Sequence, residues 1–263
     1  MKIRMKFGKM GPIKFVGHLD VLRYFQKAFR RAGVDIAYSK GFSPHQILSF
    51  AAPLGIGLTS EGEYLDAEFY SVDTTENMLK QINEVMNEGI FLSEFKMLPE
   101  NSKNAMASVA AADYEIRFRP GYYNVDAFMT QVPQFLCQES ILMTKETKRS
   151  QKQVDILPMI YEMTALSPIN TNDPEVLAEK AAMGLPMSGQ TLYLKVKTGS
   201  AENLKPDLVM EAFCQYLGFD YNKNGFMYHR LETYLLNEDG SLKPLGSAGN
   251  DILEPMTDKK NEI

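Results

Sequence analysis

Apolar side chains in the first hundred residues follow the period of a strand, then of a helix, and then of strands again. Alternation of apolar and basic positions in IRMKFG is typical of a half-buried strand. Helical spacing is seen in HLDVLRYFQKAFRRAG, which stops at Gly33. Strands are predicted at ILSFAAPL, EYLDAEFY and IFLSEFKML, and a second helix at TTENMLKQINEVMNEG. This β-α-β-β-α-β order predicts a ferredoxin-like domain over residues 1–99.

A similar order of elements recurs in the second half of the chain. A strand at DYEIRFRP is followed by a helix at NVDAFMTQVPQFLC and by strands at ILMTKET and QVDILPMIYEMTAL. After an irregular insertion near residues 167–189 come a strand at LYLKVKTG, a helix at KPDLVMEAFCQYLG and a closing strand at FMYHRLETYLL. The sequence therefore predicts an α+β protein of two tandem ferredoxin-like domains with antiparallel sheets, the second over residues 112–235.

The segments outside these two domains lack periodicity. Residues 100–111 are polar at first and then rich in small side chains, which is typical of a linker. Residues 236–263 are rich in polar residues and glycine and show no helical or strand period, so that we expect a disordered tail.

Charge is distributed unevenly along the chain. Residues 1–60 contain ten Lys or Arg and two acidic residues, which gives this segment +8 and leaves −13 on the remainder of a chain whose total is −5. Such asymmetry favours a basic surface that faces an anion or an acidic partner protein, although an acidic neighbour within the chain would also match it. Within the first helix Arg23, Lys27 and Arg30 fall on one face, either as a binding row or as a solvated surface.

The loop YSKGFSPHQ, residues 38–46, lies between two apolar segments and combines charge with aromatic rings. Lys40 adds to the basic row, and Tyr38, Phe42 and His45 are candidates for stacking on nucleic-acid bases. A basic turn in the second domain would extend the path of a nucleic acid or simply aid solubility. Its residues are Lys145, Lys148, Arg149 and Lys152.

Catalytic chemistry has weaker support in the sequence. No glycine-rich phosphate loop and no GxSxG nucleophile motif is present. His18, Asp20 and His45 would be the candidates for general acid–base catalysis, provided that the two histidines converge. Asp20 is equally explained by the positive end of the helix dipole. Two histidines without a supporting cluster do not predict a metal site.

Cysteine and hydropathy patterns limit where the protein works. Cys137 and Cys214 each lie in an apolar setting, so that we expect two buried free thiols and a reducing, cytoplasmic compartment. No apolar run approaches the roughly 20 residues that span a bilayer, so that no membrane association is expected.

The N-terminal motifs resemble those of a bacterial domain that is encoded beside, or fused to, radical SAM proteins. The family pattern runs HLD, an arginine-containing helix ending in RRAG, AYS-x-GF-x-PH, SFA-x-PL and E-Y-x-D. The matching positions are His18, Leu19, Asp20, Arg23, Arg30, Arg31, Ala32, Gly33, Tyr38, Ser39, Gly41, Phe42, Pro44, His45, Ser49, Phe50, Pro53, Leu54, Glu63, Tyr64 and Asp66. Gln46 departs from the pattern, which has a proline there. The resemblance implies a radical SAM protein as partner, and this chain has no residues of its own for iron, cobalamin or S-adenosylmethionine.

Three functional hypotheses follow from the sequence. The leading one is a non-catalytic accessory module of a radical SAM system that binds structured RNA through Arg23, Lys27, Arg30 and the 38–46 loop. The alternative is a protein–protein adaptor whose basic face docks an acidic patch of the radical SAM enzyme. A third is a metal-free RNA-processing enzyme that uses His18 and His45.

Overall fold

A computed structural model of the chain describes residues 1–147, 150–166, 189–200 and 202–257. The fold is mixed α+β with mostly antiparallel strand pairing, as the sequence predicts. The chain divides into unit 1, residues 1–110 with 232–263, and unit 2, residues 111–231. Most of the predicted insertion near 167–189 lies outside the described residues.

Unit 1 is built on an antiparallel sheet. Its elements up to the unit boundary are β1 (Lys2–Lys9), α1 (His18–Ala32), β2 (Leu48–Phe50), β3 (Thr59–Glu68), β4 (Ser71–Val72), α2 (Thr75–Asn83), β5 (Ile90–Met97) and α3 (Ala105–Ser108). Strand β1 pairs with β3 on one side and β5 on the other, and β2 pairs with the opposite edge of β3. The order is therefore β5-β1-β3-β2.

The first predicted helix is confirmed as α1, and its apolar stripe explains how it packs. Val21, Phe25 and Phe29 are buried on the helix side of the sheet, where they join Ile3 and Met5 of β1 in one core. The helix ends at Gly33, whose φ of 67° is left-handed and is therefore favourable for glycine.

The second predicted helix is present but shorter than its sequence pattern. Thr74 caps α2 by accepting a hydrogen bond from the Asn77 amide, as expected. The helix ends at Asn83 rather than at Gly89. Gly89 instead adopts a φ of 89°, and a Cβ there would lie 2.7 Å from the carbonyl oxygen of Met10, the residue that follows β1, so that only glycine allows this approach.

The opposite face of the unit 1 sheet is covered by segments that the sequence analysis assigned to a linker and a disordered tail. Residues 236–257 of the predicted tail are packed rather than disordered, and residues 105–108 of the predicted linker form α3. Ala105, from the supposed linker, is fully buried in α3, and Leu245, from the supposed tail, is fully buried beside Tyr64. Ile252 reaches the helix-side core, and the Asn250 amide donates to the Met97 carbonyl. These contacts are long-range, so that local periodicity carries no sign of them.

Unit 2 repeats the arrangement with an added hairpin. Its elements, with the strands that follow in unit 1, are β6 (Val109–Phe118), α4 (Val125–Leu136), β7 (Leu142–Thr147), β8 (Ser150–Asp155), β9 (Ile160–Leu166), β10 (Thr191–Lys197), α5 (Pro206–Leu217), β11 (Phe226–Leu236), β12 (Leu242–Pro244) and β13 (Met256–Thr257). The sheet order is β11-β6-β10-β9, and β7 pairs with β8 alone. Phe135 and Phe213 stack between α4 and α5 at 4.4 Å between ring centroids.

Two sequence predictions in unit 2 are corrected. The run QVDILPMIYEMTAL is two strands, β8 and β9, because Leu157–Met159 forms a 3₁₀ turn that contains Pro158. Cys214 is buried as expected, whereas Cys137 is exposed, because it lies at the C-terminal cap of α4 where the apolar stripe has ended. None of the helices that the structure describes is long and apolar enough to cross a membrane.

Candidate binding site

The solvent-facing side of α1 carries the predicted basic row. Arg23, Lys27 and Arg30 are all exposed, and the row spans about 10.5 Å along the helix axis. Arg23 pairs with Asp20 of its own helix at 3.1 Å, but both side chains are more than 60% exposed, so that the pair is weak. Lys27 and Arg30 have no carboxylate within 4 Å in the part of the chain that the structure describes.

The 38–46 loop is held against α1 by hydrogen bonds. The Ser39 amide donates to the His45 carbonyl at 2.8 Å and closes the loop. Gln46, which departs from the family pattern, is buried, and its Nε2 donates to the Gln26 carbonyl of α1 at 3.2 Å. This bond joins the C-terminal end of the loop to α1. Gly41 has a φ of 115°, which glycine tolerates best at the turn.

The loop side chains named by the sequence analysis point to solvent. Lys40 and His45 are exposed, Tyr38 is 39% exposed and Phe42 is fully exposed. The His45 Nδ1 lies 2.9 Å from Ser39 Oγ, which limits the ring to one orientation. A single exposed phenylalanine is common on protein surfaces, and the Phe42 ring is accessible for stacking on a ligand.

Three cations of β1 that count toward the charge of residues 1–60 are held in contacts of their own, away from the basic row of α1. Arg4 is buried and forms two hydrogen bonds to the Asp66 carboxylate, at 2.8 and 2.9 Å. Lys6 pairs with Glu232 at 2.7 Å. Lys9 is also buried and donates to the Val16 carbonyl. Successive side chains of a strand lie on opposite faces of the sheet. Both faces of β1 are covered, so that Arg4 and Lys9 are buried as well as its apolar side chains.

The second basic turn is only partly described. Lys152 of β8 is exposed. Lys148 and Arg149 lie outside the described residues, as does the side chain of Lys145.

A small, open pocket lies between β1, β3 and the N-terminal end of α1. Lys9, His18 and Glu63 contribute its polar groups, and Phe50, Pro53 and Leu54 contribute to its apolar wall. All of these residues except Lys9 belong to the family motifs quoted above, although they are as far apart in sequence as His18 and Glu63. The fold therefore brings the HLD, SFA-x-PL and E-Y-x-D motifs to one place.

Lys9 is the residue of this pocket that sequence reasoning missed, because it resembled a surface cation on a strand. Its Nζ lies 3.5 Å from the carbonyl oxygen of Lys14, within the 3₁₀ turn Gly11–Phe15, and 2.8 Å from that of Val16, which follows the turn. Burial lowers the pKa of the Lys9 ammonium, and the Glu63 charge partly opposes that shift.

The catalytic candidates are placed on different features. His18 lines the pocket, His45 is not among the pocket residues, and Asp20 pairs with Arg23 on the helix surface. Among the described residues, no three His, Cys, Asp or Glu side chains gather in a group that could hold a metal ion.

A family model described as an uncharacterised protein conserved in bacteria (DUF2344) matches residues 2–206. The chain belongs to this family. The match includes α1, the 38–46 loop and every residue of the pocket, so that both candidate surfaces lie within the family region. No curated protein matches the chain at a significant level.

Proposed function

We propose that this member of the family is a non-catalytic accessory module that binds structured RNA and presents it to a separate radical SAM enzyme. In this proposal the chain holds no cofactor of its own and works in the bacterial cytoplasm. The partner is implied by the resemblance of the HLD and AYS-x-GF-x-PH motifs, and the RNA is inferred from the chemistry of the α1 surface.

One observation carries the proposal: exposed cations without carboxylate partners lie beside an exposed aromatic loop. Lys27 and Arg30 supply positive charge on α1, and the bond from Gln46 to Gln26 joins the loop that carries Lys40 and Phe42 to the same helix. Cations neutralise phosphates, and an aromatic ring stacks on unpaired bases. A surface for an acidic protein needs the charge but does not need the exposed ring.

We also propose that each unit is a ferredoxin-like domain. In unit 1, β1 is the first strand of the β-α-β-β-α-β order. It pairs with the last strand, β5, on one side and with the third strand, β3, on the other. Unit 2 has the same relation in β11, β6 and β10. This shared order supports two copies of one topology, and folds of this class often bind RNA through one face or edge.

The proposal is tested by charge reversal on α1. The double variant Lys27→Glu, Arg30→Glu should weaken binding of a labelled RNA stem–loop at least about tenfold at low salt, because it removes two phosphate contacts and adds repulsion. Fluorescence anisotropy measures the affinity, and circular dichroism checks the fold. The matched control is Lys243→Glu, an exposed lysine on the segment that covers the opposite face of the sheet.

The control should bind RNA within about twofold of the natural protein, since it changes net charge but not the proposed surface. Equal loss in Lys243→Glu and in the α1 variant would contradict a defined RNA surface. Co-purification of a radical SAM partner that survives nuclease treatment, with no RNA bound, would instead support the adaptor hypothesis.

A further inference from the structure

We propose that an apolar patch at the N-terminal end of α1 docks an acidic, apolar peptide segment of a partner protein. The apolar patch consists of Phe15, Leu19 and Ile56, whose side chains are 66%, 58% and 66% exposed. Apolar side chains that are exposed singly are ordinary on a protein surface, whereas adjoining ones are typical of an interaction site. The inference goes beyond the proposed RNA binding, because it gives a protein partner a surface of its own.

The three side chains of the apolar patch are brought together around Gly17. Phe15 and Leu19 lie two residues to either side of this glycine, at the end of the first 3₁₀ turn and in the first turn of α1. Ile56 comes from a distant part of the sequence, and its Cδ1 lies 3.9 Å from the position that a Cβ on Gly17 would take. The patch is therefore one surface that is assembled by the fold from two segments.

The loop that carries Ile56 is fixed in place although its side chain is exposed. The Gly57 amide donates to the Lys14 carbonyl at 2.8 Å, which joins this loop to the 3₁₀ turn Gly11–Phe15. A side chain on a fixed backbone loses less conformational freedom on binding than one on a mobile loop. Ile56 is therefore suited to anchor an interface.

Cations at the edge of the apolar patch determine the chemistry of the segment that it accepts. The Lys14 Nζ lies 5.3 Å from the centre of the Phe15 ring, and among the described residues no carboxylate is within 4 Å of it. Arg23 follows Leu19 by one turn on the same face of α1, about 6 Å along the helix axis. Its contact with Asp20 is exposed and weak. Carboxylates beside the apolar side chains of a bound segment would complement both cations.

The same cations make a second copy of this chain an unfavourable occupant. Closed dimers usually bury the same patch of both copies against each other. Such a contact would bring Lys14 and Arg23 of one copy close to those of the other, and like charges at an interface repel. RNA bases need aromatic faces for stacking, but Phe15 is the single ring of the patch and the Lys14 ammonium lies over it.

A peptide library displayed on phage tests the inference with an unbiased probe. Peptides enriched on the natural protein should combine large apolar residues with Asp or Glu. In fluorescence anisotropy they should bind Ile56→Ser and, independently, Leu19→Ser at least about tenfold more weakly than the natural protein. The matched control is Leu253→Ser, which removes an 85% exposed leucine elsewhere and should leave the affinity within about twofold. Lys14→Gln should weaken binding and reduce its salt dependence. Circular dichroism checks the fold of each variant.

Several results would overturn the docking of an acidic segment. These are the absence of enriched peptides, enrichment of peptides without carboxylates, and peptides that bind Ile56→Ser as tightly as the natural protein. A dimer in sedimentation experiments that Ile56→Ser abolishes would assign the patch to a second copy instead. Binding to vesicles of phosphatidylcholine and phosphatidylglycerol that Ile56→Ser abolishes would assign it to a lipid surface.

RNA binding by the same variant separates this inference from the proposed function. Ile56→Ser should bind the RNA stem–loop within about twofold of the natural protein, because the apolar patch supplies no phosphate contact. Loss of RNA binding in Ile56→Ser would make the patch part of the RNA surface and would contradict the docking. If the natural protein binds acidic peptides through the patch but binds no RNA, the RNA function fails and the docking surface stands.

Discussion

Arg4 shows how a single residue changes the interpretation of charge in this chain. In the sequence it is one of ten cations in a basic N-terminal segment, but its guanidinium is buried and bound to Asp66. It also donates to the carbonyls of Leu245 and Lys103, and Asp66 accepts the Ala105 amide. This cation stabilises the attachment of two covering segments and contributes nothing to a surface.

Removing the charge of Asp66 should therefore destabilise unit 1. Asp66→Asn leaves the buried Arg4 without its counter-charge, and we expect a loss of about 3 kcal/mol in the free energy of unfolding. Urea denaturation followed by circular dichroism measures it. The matched control is Asp20→Asn, which breaks the exposed pair with Arg23 and should cost less than about 1 kcal/mol. Similar losses in both variants would contradict the structural role of Arg4.

At the scale of elements, patterns that are local in sequence predicted the structure well. The helix α1 was predictable because its apolar residues repeat at helical spacing and Gly33 follows them. The covering segment around Leu245 was not predictable from local sequence. Its single leucine becomes buried only when the segment packs on the face of the sheet that carries Tyr64 and Arg4. The pocket could not be predicted for the same reason, since Lys9 and Glu63 are brought to one place only when β1 pairs with β3.

Burial of Leu245 gives a prediction for that covering segment. Leu245→Ala should lower the free energy of unfolding by about 2–5 kcal/mol, because the side chain is fully buried and its removal leaves a cavity. Leu253→Ala is the matched control, as Leu253 is 85% exposed a few residues later and should change stability by less than about 0.5 kcal/mol. Thermal or urea unfolding compares them. If Leu245→Ala is as stable as the control, the segment does not pack as described.

At the scale of the whole molecule, charge and fold have separate roles. The excess of acidic residues lies beyond residue 60, and of the described cations in the first 60 residues, Arg4, Lys6 and Arg23 are paired with carboxylates. Lys27, Arg30 and Lys40 are exposed. Fewer of these cations are therefore available to a ligand than the sequence indicated, and the proposed surface consists of those on α1 and the 38–46 loop. Its local charge, rather than the net charge of −5, would determine which ligands approach it.

The salt dependence of RNA binding tests this central claim most directly. If Arg23, Lys27, Arg30 and Lys40 neutralise phosphates, a plot of log Kobs against log salt concentration should have a slope of about −3 for single-stranded RNA. Replacing Lys27 and Arg30 by Gln should reduce the steepness by about 1.4. RNA binding with a flat slope, or a slope that the double replacement leaves unchanged, would contradict the account.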